Sequence, residues 1–239
     1  MKRVLITGAS SGIGHALALS YDSLGYEVWA CGRNVARLEA LIAKGNHIQS
    51  LQFDINDNQQ IARIANDFDG SLDLLILNAG NCEYIDNARQ FDGELFERVV
   101  RTNLISVGYL LQAWLPKMKH GSQLALIGSS VTLLPLPRAQ AYGASKAGLA
   151  YLADTLSLDL KEDDIRVSLV SPGFVESPLT DKNDFSMPMI ISVKEAAKQI
   201  VSGLQAGQRH IQFPKRFIWV LKLVSWLPFS LLKRMVSSA

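Results

Sequence analysis

A three-layer αβα fold, with a doubly wound parallel sheet of about seven strands between helices, is what the 239-residue sequence predicts. Three observations predict it. Short apolar runs alternate with longer segments of helical period, the pattern of βα units around a parallel sheet. No Pro-, Gly- or Ser-rich linker, repeat or low-complexity tract divides them. The first run passes straight into a glycine-rich turn, at the carboxyl end of a strand, where such sheets bind their ligands.

The elements follow in order. Residues 4–6 form the first apolar run, closed by Thr7 and Gly8, and a helical segment spans 13–24. A second strand at 27–31 ends at Gly32 and is followed by a helix over 35–43; a third at 48–53 is followed by a helix over 59–68. The fourth strand, 72–77, precedes a long helical segment at 91–118. The fifth, 123–127, precedes a helix at 139–160, and the sixth is read at 166–170. A composition of 48% hydrophobic and 19% charged residues supplies a sizeable core and excludes a disordered or fibrous chain.

The formal net charge of +2 conceals an asymmetry. Every acidic residue lies at or before Glu195, whereas Lys198, Arg209, Lys215, Arg216, Lys222, Lys233 and Arg234 follow it, so the body is acidic and the tail basic. The two cysteines, Cys31 and Cys82, read as reduced thiols without chemistry, and the three-residue apolar run near the start is far short of a signal-peptide core, so a cytoplasmic location is expected. His15, His47, His120 and His210 are scattered without ligand spacing, and no metal is expected.

The turn TGASSGIG places Gly8, Gly12 and Gly14 at a strand-to-helix junction, with Ser10, Ser11 and Ile13 between and beside them. Glycines there allow a pyrophosphate to approach backbone N–H groups at a helix N-terminus, so the turn predicts a Rossmann-type dinucleotide site. After the second strand, where an acid would bind a ribose 2′-OH, stand Gly32, Arg33 and Asn34. Arg33 points to the 2′-phosphate of NADP(H), with no carboxylate to repel it; the alternative is a solvated surface arginine. Asp54 and Ile55 end the third strand, where Asp54 is placed to accept a hydrogen bond from the adenine amine, and Asn78, Ala79 and Gly80 end the fourth in a small-residue turn beside a ribose.

The fifth strand ends in Ser129 and Ser130, and AYGASKAG then sets Tyr142 and Lys146 four residues apart on one helical face. A nearby ammonium and an oxidised nicotinamide ring favour a phenolate, which lowers the tyrosine pKa toward the working range. In these residues the chain resembles the short-chain dehydrogenase/reductase family, classical subgroup, up to about Phe213. The resemblance implies a catalytic domain over 1–213 with 214–239 as a basic, apolar extension. It also implies a catalytic set of Asn103, Ser129, Tyr142 and Lys146. Ser129 lies thirteen residues before Tyr142, the family separation, and Ser130 is the fallback. Ser129 would hydrogen-bond the substrate oxygen, Tyr142 transfer the proton, Lys146 hold the nicotinamide ribose, and Asn103 position a water leading from Lys146 to solvent. Pro172 and Gly173 match the family's later turn, with Val175 and Ser177 holding the carboxamide. Serine replaces the more usual threonine at 177, and Leu77 replaces an asparagine, which puts one loop hydrogen bond in question. The function implied is NADP(H)-dependent interconversion of a carbonyl and an alcohol by a homodimer or homotetramer. The other class to weigh is a non-catalytic NADP(H)-binding regulator.

Residues 178–192 lie where the family covers its substrate. Met187, Pro188, Met189, Ile190 and Ile191 either line an apolar substrate pocket or pack on the core. The tail crowds Phe217, Trp219, Leu223 and Trp226 among cations, and Lys222 and Pro228 interrupt it before the roughly 20 apolar residues of a membrane span are reached. Three roles stay open for 214–236: an interfacial segment on anionic lipid, a lip over the active site, or a subunit contact. No basic stripe with stacking aromatics suggests nucleic acid.

Overall fold

The structure, a computed structural model, describes residues 1–181 and 183–237. In chain order its elements are β1 (Arg3–Thr7), α1 (Gly12–Ser23), β2 (Glu27–Gly32), α2 (Val35–Ile42), β3 (Ile48–Gln52), α3 (Asn58–Asp67) and β4 (Leu72–Leu77). There follow α4 (Gly93–Val100), α5 (Ser106–Trp114), β5 (Met118–Ile127), α6 (Gln140–Asp159), β6 (Arg166–Pro172), α7 (Val193–Gln205), β7 (His210–Phe213), α8 (Lys215–Ser225) and α9 (Phe229–Ser237). Among the described residues the strands form one parallel sheet in the order β3-β2-β1-β4-β5-β6-β7. The chain reverses direction across the sheet between β1 and β4, so their carboxyl ends flank the crevice in which doubly wound folds bind ligands.

Alternation along each strand divides the core. Val4 and Ile6 of β1 point to one face, where Leu17 and Tyr21 of α1, Leu38 of α2 and Ile200 of α7 cover them; Leu5 points to the other, under Ile61, Leu110, Trp114 and Leu149. Removing each such side chain from water is worth about 1.5–3 kcal/mol, which is why both faces of the sheet are covered. On the second face Trp29, Phe68 and Trp114 stack edge to face with centroids 5.0 and 5.2 Å apart.

Three elements differ from their sequence expectation. β5 starts at Met118 rather than 123, because Met118 pairs with Leu72 and the exposed residues Lys119 to Gly121 bulge out before Gln123 pairs with Leu74, hiding the strand's start from an apolar count. The 91–118 segment is α4 and α5 joined by a π turn at Arg101–Ile105, where the Ser106 N–H donates to the Arg101 carbonyl. β7 is a seventh strand of four residues whose inward side chains are Ile211 and Phe213, too short for the pattern to reveal.

Candidate active site

The carboxyl ends of the strands open on one cavity of about 1490 Å³. Ordinary small-molecule pockets measure about 300–1,000 Å³, so this one has room for a dinucleotide and a second molecule together. Gly8, Ser10, Ser11, Gly12 and Ile13 border one part of it. Gly8 has φ +69°, a left-handed conformation that strains any residue with a Cβ, and a side chain at Gly14 would collide with the Gly8 carbonyl oxygen. Asn78 clips this turn from the neighbouring strand: its Nδ2 donates to the carbonyl of Thr7 at 2.9 Å and of Gly8 at 3.3 Å. Thr7 Oγ1 in return accepts the N–H groups of Asn78 and Ala79. Leu77 is buried in the second core, so the loop that it precedes is held by threonine instead.

The residues fit a dinucleotide phosphate. Helices α2, α3, α4 and α7 begin with side-chain caps from Asn34, Asp57, Asp92 and Ser192, whereas the Ser11 side chain makes no cap on α1, whose first turn holds no acid. Its first N–H groups and its dipole therefore remain available to an anion in the cradle that Gly8 and Gly12 leave open.

At the other side of this turn the cavity is bordered by Gly32, Arg33, Asn34, Arg37, Phe53, Ile55 and Asn56. The expectation that no carboxylate stands near Arg33 fails: its Nη1 lies 3.2 Å from Oδ2 of Asp54. Asp54 comes from the end of β3, next to β2 in space though not in sequence, and its Oδ1 accepts the N–H of Asn56. Arg37, in the first turn of α2, is a second cation that the sequence reading missed; its nearness to Arg33 across the cap of α2 was the available signal.

Ile127, Ser129, Ser130, Tyr142 and Lys146 line one wall of the cavity. Lys146 is buried, its Nζ donates to the Ile127 carbonyl at 2.8 Å, and it lies 5.8 Å from the centre of the Tyr142 ring. Burial pushes the Lys146 ammonium down to about 8. Burial also pushes the Tyr142 phenol above its ordinary value, against the opposing pull of a hydrogen bond with Ser129. The lowering expected from lysine does not appear in the protein alone, where desolvation prevails. Ser129 caps the turn that follows β5 by accepting the Val131 N–H, and Ser130 is buried beside it.

Asn103 is buried behind this wall. Its Oδ1 accepts the Asn81 N–H at 2.8 Å, and its Nδ2 donates to the Asn81 carbonyl at 2.9 Å and to Ser145 Oγ at 3.0 Å. Ser145, another residue the sequence reading missed, donates to the Tyr142 carbonyl at 2.7 Å and so ties Asn103 to α6. A Cβ on Gly80 would lie 3.5 Å from Lys146 Nζ and closer still to Asn103 Oδ1, so the small-residue turn after β4 closes over both.

Pro172, Gly173, Val175 and Ser177 complete the cavity, with Ser177 Cβ over Gly12. Thr180 fixes this loop: its Oγ1 donates to the Val175 carbonyl at 2.7 Å and accepts the Ser177 N–H at 3.0 Å. Of the five residues from Met187 to Ile191, only Ile191 packs on the core, while Pro188, Met189 and Ile190 are exposed; Lys182, in the same segment, lies outside the described residues. The apolar wall comes instead from Leu179, Phe185, Phe174, Phe217, Leu221 and Val224, the last three on α8. Arg138, at φ +64°, gathers this end: its guanidinium meets Asp86 at 2.7 Å and Asp184 at 2.8 Å and lies over the Tyr84 ring, whose hydroxyl pairs with Asn183. Cys82 also lines the cavity. Among the described residues no group of three or more His, Cys, Asp or Glu is arranged to hold a metal.

A doubly wound sheet whose glycine turn, tyrosine and lysine share one cavity defines a dinucleotide-linked oxidoreductase. The chain belongs to the short-chain dehydrogenase family, whose model matches residues 2–186. An uncharacterized oxidoreductase of Myxococcus xanthus is 31% identical over 236 residues, 95% of this chain and 93% of that protein. An 11-beta-hydroxysteroid dehydrogenase 1A of Arabidopsis thaliana is 30% identical, covering 94% of this chain and 74% of its own. Among solved structures, a short-chain dehydrogenase from Sphingobium yanoikuyae in complex with NADPH superposes with a TM-score of 0.81 at 27% identity, over 90% of this chain and 89% of that one.

Proposed function

We propose that the protein is an NADP(H)-dependent oxidoreductase that interconverts a bulky apolar carbonyl and its alcohol, with Tyr142 as the proton donor or acceptor. The observation that carries this reading is the convergence of Ser129, Tyr142 and Lys146 on the cavity that opens at the glycine turn. NADP(H) would supply or take up the hydride. Ser129 holds the substrate oxygen near Tyr142, whose raised pKa keeps the phenol protonated and ready to donate during reduction. Lys146 orients the nicotinamide ribose and stabilises negative charge on the phenol, and Asn103 keeps Gly80 and Asn81 closed over it. The nicotinamide carboxamide is assigned to Val175 and Ser177, and the adenosine 2′-phosphate to Arg33 and Arg37.

The Arg33–Asp54 pair is exposed, and such pairs contribute about 0–1 kcal/mol. Charge-assisted bonds to a phosphate are worth about 1.5–3 kcal/mol, so the arginine has reason to leave the carboxylate for the ligand. The Sphingobium relative's bound NADPH supports this preference, and the name of the Arabidopsis relative, a hydroxysteroid dehydrogenase, agrees with the aromatic wall of Phe174, Phe185 and Phe217. Residues 214–239 extend the domain of 1–213, and self-association is supported by exposed Tyr151 and Leu158 on α6. The location assigned is cytoplasmic, with peripheral contact at the inner face of a membrane.

Purified protein should oxidise NADPH, and NADH far more slowly, in the presence of ketones or aldehydes that carry large apolar groups. Tight NADPH binding without turnover across a broad panel of carbonyls would instead assign the chain to the non-catalytic regulators.

A further inference from the structure

α8 has two apolar faces, and the fold uses one. Phe217 and Ile218 are buried, Phe217 stacks on Phe174 with ring centres 5.5 Å apart and crowds Gly173, and with Leu221 and Val224 it walls the cavity. The opposite face carries Trp219, Leu223 and Trp226 at helical spacing, with Val220 beside them, all exposed; Trp219 is 67% and Trp226 84% accessible. Phe229, 72% accessible, and Leu231 continue the surface onto α9, while Leu232 is buried beneath. So much contiguous aromatic surface in water marks a contact site.

The charges around it select the partner. Lys215, Arg216, Lys222 and Lys233 are exposed along the same two helices, and no acidic residue follows Glu195. A second copy of the chain would bring these cations against their own kind. Tryptophan, with an apolar ring and a polar N–H, settles at the boundary between headgroups and acyl chains, and lysine and arginine add attraction to anionic headgroups. Neither helix is long and apolar enough to cross a membrane, so they lie in its plane. We propose that the outer face of α8 and the start of α9 dock on a bilayer that contains anionic lipid, with Trp219, Trp226 and Phe229 seated at the headgroup boundary. α8 is then a wall shared by the bilayer and the cavity. If the carbonyl reading above holds, a substrate dissolved in the membrane reaches the cavity beside this helix without crossing bulk water; docking itself does not depend on that reading.

The test is co-sedimentation of the full-length protein with phosphatidylcholine vesicles, with and without phosphatidylglycerol. Binding is expected only to the anionic vesicles, weakening with added salt. A Trp219→Ser/Trp226→Ser/Phe229→Ser variant should lose more than tenfold in partitioning, and each of Lys215→Gln, Lys222→Gln and Lys233→Gln about fivefold. All four should keep wild-type NADPH oxidation on a small soluble carbonyl, which shows that they fold and that the site is intact. Equal binding to neutral vesicles, no binding to either, or full binding by the aromatic variant would overturn the proposal. So would a concentration-dependent dimer, seen by sedimentation velocity, that the aromatic substitutions abolish, or capture by an acidic protein in place of lipid. Failure of every turnover assay with vesicle binding intact would remove the carbonyl reading and leave the docking surface standing.

Discussion

The cavity wall that carries Ser129, Tyr142 and Lys146 and the aromatic end beyond it, the proposed substrate end, are held by different kinds of bond. At the wall, three side chains are fixed to backbone: Lys146 to the Ile127 carbonyl, Asn103 to the N–H and carbonyl of Asn81, and Ser129 to the Val131 N–H, while Tyr142 is held through Ser129. The backbone anchors, Ile127, Asn81 and Val131, lie at or just after strand ends, so the sheet itself positions them. At the substrate end, side chains from distant loops meet one another: Arg138 joins Asp86, Asp184 and Tyr84, while Phe174 stacks on Phe185 and Phe217. On the proposed function, a wall fixed to backbone serves one chemistry, and an end built from exchangeable side chains admits variation in substrate.

The largest effect that separates the two regions belongs to Lys146→Met. Turnover should fall about 10²–10⁴-fold for every substrate, large or small. Stability should move the other way. Burial holds the folded ammonium at about 8 against 10.5 for the unperturbed group, so the unfolded chain binds more protons between those values and wild-type stability rises with pH across that window. At pH 7 the variant should therefore melt higher than wild type, by about 2 °C or more in thermal unfolding, with the gap narrowing from pH 8 to 10.5. A lower melting temperature at neutral pH would mean that the buried ammonium is satisfied, not strained.

An intermediate effect is expected where the adenosine meets the protein. Arg33→Ala with Arg37→Ala should lower the preference for NADPH over NADH by about 10–100-fold, read as the ratio of kcat/KM values, while leaving the turnover number with saturating NADPH near wild type. An unchanged ratio would return both arginines to the role of solvated surface residues. Smallest is the effect of Arg138→Ala. Its ion pairs are partly exposed and individually weak, so KM for a bulky carbonyl should rise about three- to tenfold while a small carbonyl is reduced as before. An equal loss for both would show that Arg138 supports the wall as well.

The same contrast explains what could be read in advance. Gly8, Gly12, Tyr142 and Lys146 announce themselves because a tight turn admits little but glycine and because one helical face needs a spacing of four. Six of the seven strands were legible as short runs rich in apolar residues, since a central parallel strand is covered on both faces, although the edge strand β3 exposes Gln49, Ser50 and Gln52. The start of β5 and all of β7 were not, one being a bulge with exposed Lys119 and His120 and the other presenting two inward side chains. The Asp54 carboxylate beside Arg33, the Ser145 bridge to Asn103 and the Arg138 cluster depend on which strands and loops become neighbours, and that is set by topology. The expected substrate segment was misread at Met189 and Ile190, which face solvent, because methionine and isoleucine carry no mark of which side they take in a loop. For the tail, the sequence left three roles open, and the structure places one apolar face of α8 on the cavity and the other in water.

The most direct test of the central claim is the Tyr142→Phe variant, measured twice with NADPH. Tyr142 is half-buried and its ring packs on the wall, so removing the hydroxyl should leave the fold and NADPH affinity unchanged, as followed by fluorescence titration. Single-turnover reduction of a carbonyl by the bound NADPH should then be slower than wild type by about 10²–10⁴-fold, the usual worth of a positioned proton donor. Equal single-turnover rates in the two proteins, with equal NADPH binding, would contradict the assignment of proton transfer to Tyr142.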